Sequence, residues 1–334
     1  MKSCGIIAEY NPFHKGHEYH LQQARLKTNC DCLIVIVSSY FSQRGLPSYL
    51  TRSDKTKLSL EHGANIVLEL PACFSCQSAD YFAKYAIQSL STLDIDYLCF
   101  GSETNDINYL RSLSFLNEID ASKNINQNQN ISLQPNDILG YQYIKYCDKY
   151  DIEPVSIQRN NNFKSATQTR KDAFHFEQDY QSYFHLEQNW NSYYPYLRLF
   201  LQLTDASTLA SFFLVNEGIE YRLKSASKQC ETWDNFLNQC ISKTYTKARI
   251  QRTCMMILLQ IKKDEMMDSF FGCRVLGFDS IGQQYLKEHK NNRIYTKFKD
   301  LPSFLQEVEL KSQALYQNFT SIDDNKVIRY DSID

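Results

Sequence analysis

The sequence has no apolar run of the length that a membrane-spanning helix requires, which is about 20 residues. The apolar stretch before Glu9 is also too short for the core of a signal peptide, so we expect no membrane association. Its 36 basic and 38 acidic residues give a net charge of −2, which excludes a uniformly basic protein. Any contact with nucleic acid therefore requires a local basic patch.

The cysteines lack the spacing of a zinc site. There are eleven, an odd number, and many lie in apolar runs, where a thiol behaves as a small hydrophobic group. Cys73 and Cys76 form a CxxC pair, but no second pair follows at zinc spacing, so we expect buried packing for both. This use of cysteine indicates a reducing compartment and predicts a cytoplasmic location.

Short apolar runs in the first half of the sequence predict buried strands at residues 3–10, 32–39, 64–70, 96–101 and 153–158. Stretches with helical spacing lie between them, at residues 17–28, 53–62, 78–91 and 137–150. Strands that are almost continuously apolar are buried on both faces, so the alternation predicts an α/β fold with a Rossmann-like, doubly wound parallel sheet. A ligand of such a sheet binds beyond the carboxyl ends of the strands, where the strand order reverses.

The second half of the sequence has a different pattern. The strand signal fades after about residue 180, and helical periodicity follows around residues 194–216, 217–241 and 243–262. We therefore predict two domains, an α/β domain at 1–180 and a mainly helical domain at 181–334. A polar stretch at 105–137 is predicted to be a loop that covers or flanks the site.

Residues 5–20, GIIAEYNPFHKGHEYH, place a cluster of histidines where a strand is followed by a helix. A turn at residues 11–13 is predicted to lead into that helix near Gly16, a residue that lets the chain approach a bound group closely. The first free N–H groups of the helix form an anion site. His14 and His17 then flank this site as donors to phosphate oxygens, stabilising the charge on a leaving pyrophosphate.

Two other interpretations of these histidines stay open. The segment also fits a polar surface loop. His17 and His20 lie three residues apart on one helical face, a spacing that suits a metal site. Since no acidic or cysteine ligand stands nearby at a fitting spacing, we expect no protein ligand to a metal.

The segment from His14 to His17 resembles the His-x-Gly-His signature of the HIGH-type nucleotidyltransferase superfamily. Residues 165–171, SATQTRK, resemble the second motif of that superfamily, a Ser/Thr-rich turn that leads into a helix with an arginine. There Ser165, Thr167 and Arg170 would hold the nucleotide phosphates opposite the histidines. Taken alone, the same residues also fit an ordinary helix cap followed by an exposed basic side chain.

Longer stretches resemble one family, the bacterial tRNA(Met) cytidine acetate ligases. They include AEYNPFHKGHEYHLQQAR at 8–25, SSYFSQRGLPSYL at 38–50, LCFGSET at 98–104, KTYTKARIQR at 243–252 and CRVLGFDSIGQQYLK at 273–287. The similarity extends over nearly the whole chain. It differs at residues 160–164, NNNFK, where the family usually has a Gly-rich stretch with a histidine and an acid. The contacts of this loop therefore do not follow from the resemblance.

The resemblance implies an ATP-dependent ligase that activates free acetate as acetyl adenylate and releases pyrophosphate. The acetyl group then passes to N4 of the wobble cytidine (C34) of elongator methionine tRNA, giving N4-acetylcytidine. Because no covalent enzyme intermediate is required, catalysis depends on positioning and on neutralising the triphosphate. Mg²⁺ is expected to bind largely through the ATP phosphates and water.

When the site residues of the resembled family are carried over to the matching positions of this sequence, the implied ATP site begins at the end of the first strand. It comprises Ile7, Ala8, Glu9, Tyr10, Asn11, Pro12, Phe13, His14, Lys15, Gly16, His17, Glu18, Tyr19 and His20. Later strand ends and helix starts add Gly101, Asn136, Arg159 and Asn160, beside Ser165, Thr167 and Arg170 of the second motif. His14 and His17 are the predicted catalytic residues. The loop at 43–47, QRGLP, is a candidate for part of the wall of the site.

Residues 243–263 contain six basic residues and no acidic residue. Apolar residues recur along this segment at the spacing of one helical face, which leaves the basic residues near an exposed beginning. This pattern fits an ordinary solvated face, and it also fits a cluster that neutralises RNA phosphates. Together with the resemblance it predicts tRNA contacts by Lys243, Lys247, Arg249 and Arg252.

Two rival functions use the same residues. One is a small-molecule nucleotidyltransferase that leaves its nucleotide on the product, and the basic helix disfavours it. The other is a noncatalytic RNA-binding protein that retains the fold, and the intact histidine pair with SATQTRK disfavours that one. The sequence does not predict the oligomeric state.

Overall fold

A computed structural model describes residues 1–117, 133–160, 162–266, 270–322 and 326–330. Within these residues the strands are β1 Ser3–Ala8, β2 Cys32–Ser38, β3 Ile66–Leu70, β4 Tyr97–Ser102, β5 Glu153–Gln158, β6 Cys273–Phe278, β7 Ile294–Tyr295 and β8 Ile328–Arg329. The helices of the first half are α1 Lys15–Thr28, α2 Arg52–Glu61, α3 Ala72–Ser75, α4 Ala79–Ser91, α5 Ile107–Asn117, α6 Pro135–Cys147 and α7 Ala166–Asp172. Those of the second half are α8 Trp190–Leu203, α9 Ala206–Ser211, α10 Ile219–Gln229, α11 Trp233–Cys240, α12 Lys247–Leu258, α13 Ser280–Glu288 and α14 Ser303–Gln317.

The first five strands form a parallel sheet in the order β5-β4-β1-β2-β3. The chain moves outward from β1 through β2 to β3 and then crosses back to place β4 on the other side of β1. The strand order therefore reverses between β1 and β4, and a ligand crevice is expected at their carboxyl ends. The predicted Rossmann-like α/β fold is confirmed.

Both faces of this sheet are buried, because alternate residues of each strand enter two different cores. Ile34 and Ile36 of β2 belong to one core, whereas Leu33 and Val35 belong to the other. This arrangement explains why the strands read as continuous apolar runs. All eleven cysteines are free and buried, so Cys73 and Cys76 pack in the interior as predicted. No helix of the described residues has the length and apolar character needed to cross a bilayer.

The end of the chain returns to the sheet. Strand β6 pairs antiparallel with β3, and both β7 and β8 pair with β6. The sequence does not predict these strands, since the strand signal fades after residue 180. The C-terminal part is mainly helical, as predicted, but residues 273–278 lie with the sheet. The division of the chain at residue 180 stays a proposal.

A buried cluster of charged side chains joins this returning segment to the first half. Arg52 contacts Glu69 at 2.6 Å and Glu309 of α14 at 2.9 Å, and Arg274 of β6 lies 3.5 Å from Glu69. Burial and the negative charge of Glu69 raise the pKa of Glu309 well above its ordinary value. This shift favours the protonated form of Glu309, so the negative charge of the cluster lies mainly on Glu69, between the guanidinium groups of Arg52 and Arg274.

The polar stretch at 105–137 is only partly as predicted. Residues 107–117 form α5 instead of a loop, with Leu110 and Leu113 buried in the core. Since α5 packs on α6, where Leu110 lies beside Gly140, tertiary packing overrides the weak helix propensity of its Asn and Ser residues. Residues 118–132 of the predicted loop lie outside the described residues, and its last three residues, 135–137, begin α6.

Candidate active site

A cavity of about 740 Å³ opens at the carboxyl ends of β1, β4 and β5, where the strand order reverses. Most of the residues predicted to bind ATP line it: Ile7, Ala8, Glu9, Tyr10, Asn11, His14, Gly16, His17, Tyr19, His20, Gly101, Asn136, Arg159, Asn160, Ser165, Thr167 and Arg170. Residues 7–20 and 165–170, far apart in the sequence, thus face the same space. Whether these residues bind ATP remains a prediction.

Four predicted residues do not line the cavity. Pro12 and Phe13 are buried in the turn, and the Phe13 ring packs on His17 and Tyr180. The exposed side chain of Lys15 pairs with Glu18 at 3.0 Å, and Glu18 also accepts a hydrogen bond from the Tyr180 hydroxyl. These four residues shape the turn and the outer face of α1.

The two motif histidines form the N-terminal cap of α1. His14 is the N-cap residue, and its Nδ1 atom accepts a hydrogen bond from the Gly16 main chain at 3.0 Å. The Nδ1 atom of His17 accepts one from the His14 main chain at 3.2 Å. Because Nδ1 is an acceptor in both rings, a neutral imidazole carries its proton on Nε2. Each ring therefore keeps an N–H donor for a ligand.

Both imidazoles are neutral at physiological pH. Burial lowers the pKa of His14 to about 4, and the nearby guanidinium groups of Arg159 and Arg170 act in the same direction. Burial also lowers the pKa of His17 well below its ordinary value, with smaller effects from His14 and His20. The pair can thus donate hydrogen bonds to an anion without first taking up protons.

The glycine of the motif permits this arrangement. A Cβ atom at Gly16 would lie 2.8 Å from Cε1 and 3.0 Å from Nδ1 of the His14 ring. Any larger residue would therefore push the ring away from the helix start. At Gly101, in contrast, a Cβ would meet no atom within 4 Å, because this residue of β4 faces the open cavity.

Two arginines that line the cavity, Arg159 and Arg170, bring positive charge to the histidines. Arg170 of α7 donates to the Asn11 carbonyl and, at 3.1 Å, to the Thr167 hydroxyl. Burial lowers the pKa of Arg170, but an arginine stays charged in this range. Arg159 follows β5 and pairs with Glu103 at 3.0 Å. The cavity thus holds fixed cations near neutral donors, which suits a polyphosphate.

Sequence reasoning gave no role to Glu103, which organises one wall of the cavity. Its carboxylate accepts from the Asn136 side chain at 2.6 Å and from the Asp137 main chain at 3.1 Å, in addition to its pair with Arg159. It therefore connects β4, α6 and the end of β5. The available signal was its position in Ser-Glu-Thr, directly after a buried strand.

The predicted wall at residues 43–47 is a packed loop. Ser42, Gln43, Arg44 and Leu46 line the cavity, and the main chain of Gln43 donates to the Glu9 carboxylate. Asn11 fastens the loop from the motif side, donating to the Pro47 carbonyl at 3.0 Å. Phe163 and Lys164, in the loop between β5 and α7, also line the cavity.

The predicted RNA-contacting residues differ in exposure. Lys243, which precedes α12, and Lys247, its first residue, are both exposed. Arg249 is half-buried, pairs with Glu217 at 3.0 Å, and lies over the Tyr245 ring. Arg252 is also half-buried, and desolvation lowers its pKa to about 10. Of the four predicted residues, only the two lysines are exposed.

A metal site built from protein ligands alone is not present in the part of the chain that the structure describes, where no cluster of His, Cys, Asp or Glu is placed to hold an ion. His17 and His20, considered above as a ligand pair, both line the cavity. The Nε2 atom of His20 is buried and has no hydrogen-bond partner among the described residues, and burial lowers the pKa of this ring to about 4.

The family description that matches this chain is that of the HIGH nucleotidyl transferases, over residues 1–132 and 114–329. Two crystal structures of Thermotoga maritima TmcAL superimpose on nearly the whole chain. One, bound with alpha-thio ATP, covers 99% of this chain and 100% of its own, with a TM-score of 0.88 and 24% identity. The other, an apo form, covers the same shares with a TM-score of 0.87 and 23% identity. At these identities they establish the fold, that of a HIGH-type nucleotidyltransferase.

Sequence relatives narrow the class. The tRNA(Met) cytidine acetate ligase of Staphylococcus haemolyticus is 32% identical, over 95% of this chain and 94% of its own. That of Oceanobacillus iheyensis is 33% identical, over 87% of this chain and 88% of its own. The chain belongs to the tRNA(Met) cytidine acetate ligase family.

Proposed function

We propose that the chain is an ATP-dependent ligase that acetylates N4 of the wobble cytidine of elongator methionine tRNA. The observation that carries the proposal is the histidine pair of the cavity, two neutral Nε2–H donors beside Arg159 and Arg170, in a chain of this family. ATP, acetate and the tRNA are the substrates. Eleven buried free thiols favour a cytoplasmic site of action.

In the first step, an acetate oxygen attacks the α-phosphate of ATP, and the bond to the bridging oxygen of the β-phosphate breaks. Acetyl adenylate forms and pyrophosphate leaves. The triphosphate lies over the beginning of α1, where the positive end of the helix dipole favours its negative charge. His14 and His17 donate to the oxygens on which charge develops, and neither ring gains or loses a proton.

In the second step, the N4 amine of the cytidine attacks the acetyl carbonyl, AMP leaves, and the nitrogen loses a proton. Until the RNA arrives, the cavity walls protect the adenylate from water. Magnesium supplies further neutralisation of the phosphates when bound. Glu9 is the only carboxylate among the described residues that line the cavity, which fits an ion held mainly by phosphates and water.

The decisive experiment incubates the protein with ATP, labelled acetate and methionine tRNA, and scores pyrophosphate release and RNA label separately. Acetate-dependent pyrophosphate release with label at N4 of the cytidine is the expected result. If a nucleotide were instead attached to a small product, the protein would be a small-molecule nucleotidyltransferase. RNA binding with no turnover would replace it with a noncatalytic RNA-binding protein.

A further inference from the structure

A second groove, of about 540 Å³, lies next to the proposed ATP cavity. It is lined by Leu46, Phe174, Asn189, Trp190, Asn191, Ser192, Trp233, Lys247 and Gln251. Leu46 lines both spaces. The loop at 43–47 therefore forms a thin wall with the cavity on one side and this groove on the other.

Packing on the groove side holds the wall in place. The indole N–H of Trp190 donates to the Gly45 carbonyl at 2.9 Å. Gly45 also lies so close to α12 that a Cβ there would approach the Arg252 main-chain nitrogen to 2.7 Å. Since the loop is fixed to both α8 and α12, the distance between the groove and the cavity is fixed as well.

The groove combines three kinds of contact that an unpaired nucleobase uses. Phe174 supplies an aromatic ring that is 54% exposed, and bases stack on such rings. Lys247, exposed at the beginning of the basic helix, supplies charge for a phosphate. Gln251, which is 4% exposed, also lines the groove and supplies an amide whose oxygen and N–H groups can pair with the edge of a base.

We propose that this groove binds an unpaired RNA base next to the nucleotide whose base enters the ATP cavity. The inference rests on the function proposed above, because that function requires one cytidine of an RNA loop to reach the adenylate. An RNA strand that follows Lys243 and Lys247 passes the groove before it reaches the cavity. Stacking of the neighbouring base on Phe174, with its edge at Gln251, fixes the register of the strand.

The chain contains a reporter for this groove. Its two tryptophans, Trp190 and Trp233, both line the groove and stack on each other with ring centroids 4.1 Å apart. Tryptophan fluorescence therefore reports on the groove, without interference from any other indole. The probe is the anticodon hairpin of methionine tRNA, and the control is the same hairpin with its loop annealed to a complementary strand.

The hairpin is expected to change the tryptophan fluorescence of the full chain, whereas the annealed control and ATP alone are not. Phe174→Ala should weaken hairpin binding about 5- to 100-fold, the range for loss of one stacked base. Phe174→Tyr should restore it. Phe176→Ala is the matched control, since Phe176 is 67% exposed two residues away and does not line the groove. Gln251→Met should weaken binding about 2- to 10-fold.

Acetate-dependent pyrophosphate exchange, measured on every variant, separates this inference from the proposed function. Three results would refute base binding in the groove. The first is hairpin binding that leaves the tryptophan fluorescence unchanged, and the second is an equal loss of affinity in Phe174→Ala and Phe176→Ala. The third is an equal fluorescence response to the annealed control. If the wild-type protein bound the hairpin through the groove but showed no pyrophosphate exchange, the proposed ligase chemistry would be refuted. The inference that the groove binds RNA would still stand.

Discussion

The ring of His14 stacks on the ring of His17, with centroids 3.8 Å apart and an angle of 27° between the planes. Each ring also accepts a hydrogen bond from the main chain of the motif. The same contacts that begin α1 therefore determine which nitrogen of each imidazole carries the proton. The phosphate contacts that we propose for these rings therefore depend on the capping of the helix.

His17→Ala should lower acetate-dependent pyrophosphate release by about 100-fold or more, because a donor to the developing charge is lost. Affinity for the tRNA hairpin should stay unchanged, since the basic lysines lie elsewhere. His175→Ala, which removes an exposed histidine outside the cavity, is the control. Steady-state pyrophosphate release and fluorescence anisotropy of labelled RNA measure the two effects. Equal loss of both by His17→Ala would contradict the assignment.

Protein stability should fall as the pH falls from about 6.5 toward 4. The pKa of His20 is lowered to about 4 by burial, compared with 6.5 in the unfolded chain, so the unfolded state takes up a proton first. His20→Asn removes one such group and should reduce the slope of unfolding free energy against pH by up to about 1.4 kcal/mol per pH unit. Urea unfolding between pH 7 and pH 4.5 measures it. A parallel profile for the variant would refute the prediction.

Glu103→Gln should raise the KM for ATP about tenfold, because Arg159 and Asn136 lose the carboxylate that positions them. Initial rates of pyrophosphate release at varied ATP measure it. The matched control is Asp148→Asn, which breaks an exposed ion pair with Arg111 at 2.8 Å, away from the cavity. If the two variants had the same KM, the wall built on Glu103 would have no part in ATP binding.

Gly45→Ala should destabilise the protein more than Gly218→Ala. Both glycines have left-handed backbone angles, with φ of +72° and +77°, so each substitution costs about 1 kcal/mol from this source. A Cβ at Gly218 meets nothing within 4 Å, whereas one at Gly45 collides with the main chain of α12. We expect a further loss of about 1–3 kcal/mol for Gly45→Ala. Urea unfolding tests the difference, and equal losses would show that the loop is not packed on the helix.

Glu309→Gln should change the free energy of unfolding by less than about 1 kcal/mol at neutral pH, because the raised pKa of Glu309 favours its protonated form, which a glutamine resembles. Glu69→Gln should cost about 3–5 kcal/mol, since it removes the carboxylate that both Arg52 and Arg274 contact in a buried site. Both variants keep the side-chain volume. The reverse order of stabilities in urea would place the proton on Glu69 instead.

Local patterns predicted the elements that carry the site. Strands β1 to β5 begin and end within two residues of the predicted apolar runs. The agreement is close because a strand that is buried on both faces consists almost entirely of apolar residues. Strand β6, CRVLGF, is also a short apolar run, but it lies in the half of the sequence where helical periodicity dominates, so no strand was predicted there. Its pairing with β3, about 200 residues earlier, leaves no local pattern. Glu103 was missed for a similar reason, since its partners Arg159 and Asn136 come from other elements.

The position of β6 has a consequence for synthesis of the chain. When β1 to β5 have left the ribosome, the strand that covers β3 has yet to be made, because the whole helical segment precedes it. Until then the main-chain N–H and C=O groups along the outer side of β3 are open to pairing with another polypeptide. We therefore expect translation products that stop before residue 273 to aggregate or to be degraded. In the finished chain, β6 pairs with β3 and covers this edge.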